Sequence, residues 1–169
     1  MYDTRILNEI KESMMAQGES IAVAESVTSG HLQAALSSAE LASKFYQGGI
    51  TVYNIGQKCR HLNIDPIKCE AADCVSQEIA IDMATEVCNL FTSNWGIGIT
   101  GYATPMPEKN ISEPFAYFAI VHNGEVVASR KVFGKQNETA VVQLFYVETI
   151  LSALHDQTVA LTSMKETVE

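Results

Sequence analysis

The sequence lacks long apolar runs and basic clusters, and each absence excludes a class of protein. None of its apolar stretches approaches the roughly 20 residues that a helix needs to cross a bilayer, so we expect no membrane partner. Lys and Arg number 11 against 20 Asp and Glu, which gives a net charge of −9. Because phosphate contacts dominate nucleic-acid affinity, this acidic balance argues against a DNA or RNA partner.

Targeting and metal-binding signals are equally scarce. The first residues, MYDTR, lack the charged-then-apolar layout of a signal peptide, so we expect a cytoplasmic protein. Cys59, Cys69, Cys74 and Cys88 form no CxxC pair, and only His61 lies close to one of them. A disulfide framework and a structural zinc site are therefore not expected, and most of the cysteines are predicted to be free thiols. The sequence assigns no metal.

What remains is the pattern of a single domain spanning residues 1–169, with 47% hydrophobic residues. Apolar periodicity predicts helices over 3–17, 30–38, 54–62, 77–92 and 137–155, and a helical turn over 41–46. Strands are predicted over 20–25, 50–53, 95–101, 115–121 and 126–132. A loop or weak turn is predicted over 65–75, a loop over 102–113, and an Asn-Gly hairpin turn at 123–124. The tail from Gln157 lacks clear periodicity and is expected to be loosely held. This order predicts an α/β fold with a mixed, mostly parallel sheet covered on both faces.

Residues 21–30 (IAVAESVTSG) predict a strand, a tight turn and the start of a helix. The first N–H groups of a helix lack backbone partners, so a ligand or a side chain commonly binds there. Ser26, Thr28 and Ser29 are candidates for ligand contact, although Ser and Thr are also ordinary helix caps. Glu25 either faces the ligand or holds a neighbouring backbone N–H.

Polar clusters end three of the predicted strands, at residues 25–30, 53–58 and 100–104. Ligands of open α/β sheets bind beyond the carboxyl ends of strands, so parallel neighbours would bring these clusters into one cleft. Ser26, Tyr53 and Lys58 are then the ingredients of a serine nucleophile activated by a lysine or tyrosine base. The structural alternatives are a helix cap, a rim aromatic and a solvated lysine.

The strand that ends near residue 100 supplies a further candidate contact. Thr100 and the backbone N–H groups after Gly101 would orient a substrate carbonyl or stabilise an oxyanion. The alternative is that this segment forms only a turn.

Four segments in order resemble the motifs of the CinA carboxy-terminal domain family, the nicotinamide mononucleotide deamidases. Residues 24–30 (AESVTSG) resemble AESxTGG, and residues 48–53 (GGITVY) followed by Lys58 resemble GGxxxY…K. Residues 75–80 (VSQEIA) resemble VSxExA, and residues 99–103 (ITGYA) resemble the TGxAGP turn. The resemblance covers roughly residues 5–155.

This resemblance implies a three-layer α/β/α sandwich, a homodimer, and hydrolysis of a nicotinamide carboxamide to carboxylate and ammonia without a metal or another cofactor. Its substrate would be a small molecule, a pyridine nucleotide. It implies Ser26 as the nucleophile, with Tyr53 and Lys58 as acid and base. The implied substrate-binding residues are Glu25, Thr28, Ser29, Gly30, Thr100 and Gly101, with the helix terminus facing the phosphate end of the ligand.

The chain departs from the family pattern in the residues that would cradle the substrate. Ser29 replaces a glycine, and residues 103–107 (ATPMP) lack the glycines of the family loop. Thr139 and Gln143 align where the family has an arginine, with Lys135 as a possible substitute. Two interpretations follow: an amidohydrolase, on this substrate or an altered one, or an inactive paralogue that acts as a nucleotide-binding or regulatory module.

Overall fold

A computed structural model describes residues 2–135 and 138–166, and one five-stranded sheet forms the centre of this part of the chain. The strands are β1 Ile21–Glu25, β2 Tyr46–Thr51, β3 Trp95–Tyr102, β4 Phe115–His122 and β5 Glu125–Phe133. Their spatial order is β2-β1-β3-β4-β5. β1 runs parallel to β2 and β3, whereas β4 is antiparallel to both β3 and β5, so β4 alone points the other way. The predicted mixed, mostly parallel sheet is confirmed.

Helices cover both faces of this sheet. They are α1 Thr4–Gln17, α2 His31–Ser37, α3 Ile55–Leu62, α4 Pro66–Ala71, α5 Gln77–Phe91 and α6 Thr139–Glu166, with short 3₁₀ turns at Ala42–Lys44 and Pro107–Lys109. One core cluster joins α1, α2 and α6 to one face of the sheet, and a second joins α3, α4 and α5 to the other. The fold is therefore the expected three-layer α/β/α sandwich. None of the described helices is both long and apolar enough to cross a membrane.

Successive side chains of a strand point to opposite faces of the sheet, and this divides the core into two layers. In β1, Ile21 and Val23 pack in the α1–α6 cluster, while Ala22 and Ala24 pack in the α5 cluster. On β3, a Cβ added at Gly96 or Gly98 would lie 2.2 Å from a carbonyl oxygen of α5. The backbone of α5 therefore rests directly on the first half of β3.

Strand β2 begins and ends earlier than predicted. The prediction was 50–53, but parallel pairing with β1 begins at Tyr46 and its last pair joins Glu25 to Thr51. Tyr53 therefore lies outside the sheet. Val52 follows the strand, and its N–H donates to the carbonyl oxygen of Glu25 at 2.8 Å.

The predicted loop at 65–75 contains the helix α4. Asp65 caps it by accepting from the N–H of Ile67 at 2.8 Å, and Pro66 occupies the first turn. Asp followed by Pro starts a helix here instead of breaking one, because the missing N–H of proline has no partner in a first turn anyway.

Two of the four cysteines are not free thiols. Cys69 in α4 and Cys74 in the following turn form a disulfide, with their Cα atoms 4.2 Å apart. This corrects the expectation for that pair, because the turn that ends α4 brings residues five positions apart together. Cys59 and Cys88 are free, as expected.

Helix α6 continues well beyond its predicted end at residue 155. The segment from Gln157, expected to be loose, is helical to Glu166. The hydroxyl of Ser13 in α1 donates to the carbonyl oxygen of Thr158 at 3.1 Å, so this end of α6 is docked on α1. The predicted start at residue 137 lies outside the described residues.

Candidate active site

The turn between β1 and α2 is built around the carboxylate of Glu25. This side chain is fully buried and accepts hydrogen bonds from the backbone N–H groups of Gly30, Leu32 and Gln33 at 3.2, 3.0 and 2.8 Å. Because Gly30, the N-cap residue of α2, makes no side-chain cap bond, Glu25 supplies the cap from the strand. We expected an anionic ligand to bind the backbone N–H groups at the start of α2. Three of these groups already donate to the carboxylate of Glu25.

The other polar residues of this turn face different surroundings. Thr28 is fully buried, and its Oγ1 has no hydrogen-bond partner among the described residues. Ser29 is exposed and left-handed, with φ of 49°, and its hydroxyl donates to the carbonyl oxygen of Ser26 at 3.4 Å. Neither Thr28 nor Ser29 nor Gly30 lines the cavity described below.

Ser26 and Lys58 meet at the carboxyl end of β1. The amine of Lys58 donates to Ser26 Oγ and to the carbonyl oxygen of Val52, each at 3.0 Å. Lys58 is in α3, whose start is capped by Asn54 accepting from the N–H of Gln57 at 3.1 Å. The pair is buried, with Ser26 6% and Lys58 2% exposed.

Burial changes the proton affinity of Lys58. Removal from water disfavours the charged amine and lowers its pKa to about 8, although the nearby charges of Asp73 and Cys59 act in the opposite direction. No carboxylate is bonded to this amine among the described residues. A minor fraction of Lys58 is therefore neutral near pH 7, and this fraction grows as the pH approaches 8; the neutral amine has a lone pair to accept a proton.

A cavity of about 590 Å³ opens in front of Ser26 and Lys58. Its walls come from the carboxyl ends of β1, β2 and β3, from α3 and α4, and from the start of α6. The predicted site residues that line it are Ser26, Tyr53, Lys58, Thr100 and Gly101. The expected convergence of strand ends in one cleft is thus present.

Tyr53 stands apart from the Ser26–Lys58 pair. It lines the cavity but is 72% exposed, and within the described ranges its hydroxyl bonds to neither Ser26 nor Lys58. The early end of β2 places it on the rim. The structure therefore brings together two of the three predicted catalytic residues.

Thr100 is buried in the part of the cavity wall formed by β3. Its hydroxyl donates to the carbonyl oxygen of Cys74 at 2.7 Å. Because its only proton is used in that bond, Thr100 Oγ1 can accept from a ligand N–H but cannot donate to an oxyanion. Gly101 must stay small, since an added Cβ would lie 2.4 Å from the carbonyl oxygen of Phe115.

The sequence model of the CinA C-terminal domain family matches residues 3–157. The chain belongs to this family. It is 30% identical over 139 residues to a competence-damage inducible protein of Streptococcus equi subsp. zooepidemicus, covering 82% of this chain and 33% of that protein. It is 36% identical over 101 residues to a CinA-like protein of Picosynechococcus, covering 60% of this chain and 24% of that protein. The match thus spans about a quarter to a third of these relatives.

Solved structures of the CinA superfamily share the fold. A protein from Klebsiella pneumoniae superposes with a TM-score of 0.86 at 22% identity, over 93% of this chain and 98% of that one. A competence or damage-inducible protein from Enterobacter asburiae gives a TM-score of 0.81 at 25% identity, over 91% and 99% of the two chains.

The two positions at which we expected a family arginine lie at the cavity. Thr139 and Gln143 both line it, and the amide of Gln143 donates to the carbonyl oxygen of Val27 at 2.8 Å. Lys135 does not line the cavity, so the suggested substitute for the arginine is not at this wall.

A second polar cluster in this CinA domain was missed from the sequence. Asp73, in the turn closed by the disulfide, accepts hydrogen bonds from the hydroxyl of Tyr102 at 2.6 Å and from the amine of Lys109. The Lys109 bond, followed by the Tyr102 bond, holds the pKa of Asp73 below its ordinary value. These residues are separated by 29 and 36 positions, so no local spacing could have indicated them.

Proposed function

We propose that this CinA domain is an amidohydrolase of the nicotinamide-nucleotide type, which hydrolyses a pyridine carboxamide to a carboxylate and ammonia. The observation that carries the proposal is the buried 3.0 Å contact between Lys58 Nζ and Ser26 Oγ at the floor of a cavity. A neutral amine beside a serine hydroxyl is a base and nucleophile pair. Family membership makes a carboxamide of this kind the first substrate to test.

In the first half of the reaction, Ser26 Oγ attacks the carboxamide carbon and its proton passes to Lys58 Nζ. The hydrogen bond from Lys58 to the carbonyl oxygen of Val52, at 3.0 Å, holds the amine with its lone pair towards Ser26. We assign Thr100 Oγ1 to accept from the NH₂ group of the carboxamide, and the backbone N–H groups after Gly101 to stabilise the developing oxyanion.

The amine of Lys58 also protonates the leaving group and deprotonates the attacking water. Lys58 returns its proton to the nitrogen as the C–N bond breaks, so ammonia departs and an ester of Ser26 remains. Water then attacks that ester while Lys58 accepts its proton, and Ser26 leaves as the restored hydroxyl. The products are the carboxylate and ammonia, and each proton taken by Lys58 is given back.

The remaining predicted residues have supporting parts in this proposal. Tyr53, exposed at the rim, offers its ring to a pyridine face and its hydroxyl as an acid for a bound substrate. Glu25 acts from beneath, by fixing the turn that presents Ser26.

Ammonia release tests the proposal directly. Purified protein is incubated separately with nicotinamide, nicotinamide riboside and nicotinamide mononucleotide, and ammonia is measured with an enzyme-coupled assay. We expect release from at least one of them, and its loss in Ser26→Ala and Lys58→Met. Absence of any release that depends on Ser26 would reject the amidohydrolase.

A second function, ligand binding without turnover, is favoured by one observation. Thr139 and Gln143 line the cavity, and they are the residues that the sequence comparison predicts in place of a family arginine, so this part of the substrate cradle would differ. Ligand-dependent stabilisation of the wild type without product would support this regulatory or binding module, because a ligand that binds only the folded state raises apparent stability. Measured turnover would exclude it.

A further inference from the structure

The disulfide forms part of the wall of the candidate active site. Cys69 and Cys74 both line the cavity that also contains Ser26 and Lys58. Cys69 is fully buried in α4, whereas Cys74 is partly exposed. A small thiol compound that enters the cavity therefore reaches the sulfur of Cys74 before that of Cys69.

The turn enclosed by the disulfide holds three other residues of the wall. The carbonyl oxygen of Cys74 accepts from the hydroxyl of Thr100 at 2.7 Å. The carboxylate of Asp73 accepts from the hydroxyl of Tyr102 at 2.6 Å and from the amine of Lys109. Because Thr100, Tyr102 and Lys109 all line the cavity, a change in the backbone of this turn changes the shape of the wall.

The backbone of this turn is one that residues with a Cβ avoid. Asp73 and Cys74 are consecutive and both left-handed, with φ of 50° and 57°. Asp tolerates this region better than most residues, but Cys has no such preference. The cross-link between residues 69 and 74 keeps the two ends of the turn together and thereby excludes extended conformations that would relieve the strain. Without the cross-link those conformations become accessible.

We infer that the Cys69–Cys74 disulfide is a redox switch of this cavity, which a small dithiol opens by reducing it. In the reduced protein the turn relaxes and withdraws the carbonyl oxygen that holds the hydroxyl of Thr100. The effect on the wall follows from the geometry alone. The effect on turnover rests on the proposed function, in which Thr100 orients the carboxamide.

The exchange needs a dithiol and no other reactant. One thiolate of the dithiol attacks Cys74 Sγ, the S–S bond breaks, and Cys69 leaves as a thiolate that takes up a proton. The second thiol of the dithiol then attacks the mixed disulfide and displaces Cys74, which is protonated in turn. The dithiol ends as a cyclic disulfide, having given two electrons and two protons to the two cysteines.

Reduction of the folded protein tests whether the disulfide can be reached. The wild type is incubated with dithiothreitol at a concentration that leaves its circular dichroism unchanged, quenched in acid, unfolded and alkylated. Mass spectrometry should find the label on Cys69 and Cys74 in addition to the two free cysteines, Cys59 and Cys88. A disulfide that is reduced only after unfolding in urea would overturn the inference.

Hydrogen exchange shows whether reduction releases the turn, without a ligand or turnover. The backbone N–H groups of residues 73–75 donate to carbonyl oxygens of residues 69–72. We expect these three amides to exchange at least tenfold faster in the reduced protein. The amides of Leu32 and Gln33, which donate to Glu25, are the internal control and should not change. Unchanged exchange of residues 73–75 would overturn the inference.

Turnover should respond to the same change. With nicotinamide mononucleotide as the substrate, kcat/KM for ammonia release should fall about tenfold on reduction, because the orientation of one hydrogen-bonding group is lost. Oxidised dithiothreitol should restore it. Cys69→Ser/Cys74→Ser should show the low value in both states.

Cys88→Ser is the matched control for the cysteine variants. Cys88 is a free thiol that does not line the cavity. Its replacement should leave the tenfold response to dithiothreitol intact. If Cys88→Ser abolished the response, the redox effect would depend on that thiol and the inference would be wrong.

Thr100→Val tests the route by which the turn acts. Valine keeps the shape of the side chain but removes the hydroxyl that donates to Cys74. This variant should have lower turnover and should respond to reduction by less than about twofold, since the link between turn and substrate is already lost. A full tenfold response in Thr100→Val would overturn this route.

The two readouts separate failure of this inference from failure of the proposed function. Ammonia release that depends on Ser26 but is the same in the oxidised and reduced proteins would keep the amidohydrolase and overturn the switch. Faster exchange of residues 73–75 on reduction, with no release from any carboxamide, would support the switch and reject the amidohydrolase.

Discussion

Lys58 is held by two hydrogen bonds that respond differently when its amine loses a proton. The bond to the carbonyl oxygen of Val52 needs a proton on Nζ and persists in the neutral form. The bond to Ser26 Oγ reverses its direction, so that the serine hydroxyl becomes the donor. When Lys58 loses one proton, the hydrogen bond that its amine donated to Ser26 becomes one that it accepts from Ser26. The two residues are then a base and a nucleophile.

The pH profile of ammonia release should follow this deprotonation. Because burial lowers the pKa of Lys58 to about 8, kcat/KM should rise about tenfold per pH unit below that value and level off above it. The measurement is initial rates between pH 6 and 9.5, with exposed Lys44→Gln as a control that leaves the midpoint unchanged. A profile that is flat, or still rising at pH 9.5, would contradict this role.

The same pKa acts on stability, which gives a readout independent of activity. Between about 8 and the ordinary value of 10.5, the unfolded chain keeps the proton of Lys58 and the folded chain releases it. Stability therefore rises with pH in that window. The wild type should gain free energy of unfolding relative to Lys58→Met between pH 8 and 10, as urea titrations at both pH values would measure.

Ser29 occupies a backbone conformation that suits glycine. Its φ of 49° places a Cβ in the left-handed region, which costs about 1–2 kcal/mol, while glycine loses about 0.5–1 kcal/mol more entropy on folding. Ser29→Gly should therefore stabilise the protein by about 0.5–1 kcal/mol in urea unfolding. Ala34→Gly, an exposed site inside α2, is the opposing control and should destabilise by about 1 kcal/mol.

At the scale of elements, α2 depends on a strand residue for its start. The carboxylate of Glu25 accepts hydrogen bonds from three backbone N–H groups, and no other described side chain accepts from them. This arrangement replaces a local cap, and it ties the position of Ser26 to the first turn of α2.

Glu25→Gln should weaken this element strongly. The amide keeps one acceptor oxygen and points an NH₂ group at N–H donors, so the loss is about 2–3 kcal/mol of unfolding free energy. Circular dichroism during urea unfolding measures it, and Glu40→Gln, at an exposed position, should stay within about 0.5 kcal/mol. A similarly small change at Glu25 would show that α2 starts without its help.

The disulfide closes the turn that follows α4 and contributes to the cavity wall. It encloses residues 69–74, which carry Asp73 and the carbonyl oxygen that holds Thr100. Closing a six-residue loop is worth about 2 kcal/mol on the chain-entropy account. This element therefore links thiol oxidation to the geometry of the site.

Removing the disulfide should cost about that amount. The Cys69→Ser/Cys74→Ser protein should lose about 2 kcal/mol of unfolding free energy, and thiol titration of the unfolded, unreduced wild type should find two free thiols. Cys59→Ser, which removes a free thiol, is the control. Four titratable thiols in unreduced protein would show that the pair is not oxidised.

At the scale of the whole molecule, the net charge of −9 sets up a negative field around the protein. A negative field disfavours the approach of an anionic ligand, and salt screens it. Raising the ionic strength from 20 to 300 mM should therefore improve the Kd of nicotinamide mononucleotide by about two- to threefold and leave or weaken that of the riboside. Parallel changes for both compounds would contradict this electrostatic account.

The sequence predicted the layers, the sheet and the Ser26–Lys58 pair because each follows from local pattern. Apolar alternation marks the strands, and the polar residues at their carboxyl ends converge on the condition that these strands are parallel neighbours, which the pairing of β1 with β2 and β3 meets. Tyr53 was grouped with Ser26 and Lys58 because the prediction extended β2 to residue 53. The end of β2 is decided by its pairing with β1, and the last pair is at Thr51. The predicted acid role of Tyr53 stays a prediction.

What the sequence could not indicate depends on distant contacts. Glu25 as a cap, the cluster of Asp73 with Lys109, and the reach of Gln143 from α6 to Val27 each join segments that no periodicity connects. The long α6 was missed for a related reason. Its last described turns are held by α1, and their own apolar pattern is weak.

The position of β2 at the border of the sheet has a consequence for the reactive pair. Val52, which anchors the Lys58 amine, follows a strand that has a neighbour on one side only among the described strands. Edge strands open more readily than central ones, and each such opening separates the amine of Lys58 from the carbonyl oxygen of Val52. The fraction of molecules in which Lys58 is positioned to react is therefore limited by local opening of β2. Hydrogen exchange of the β2 amides measures the free energy of this opening without any ligand.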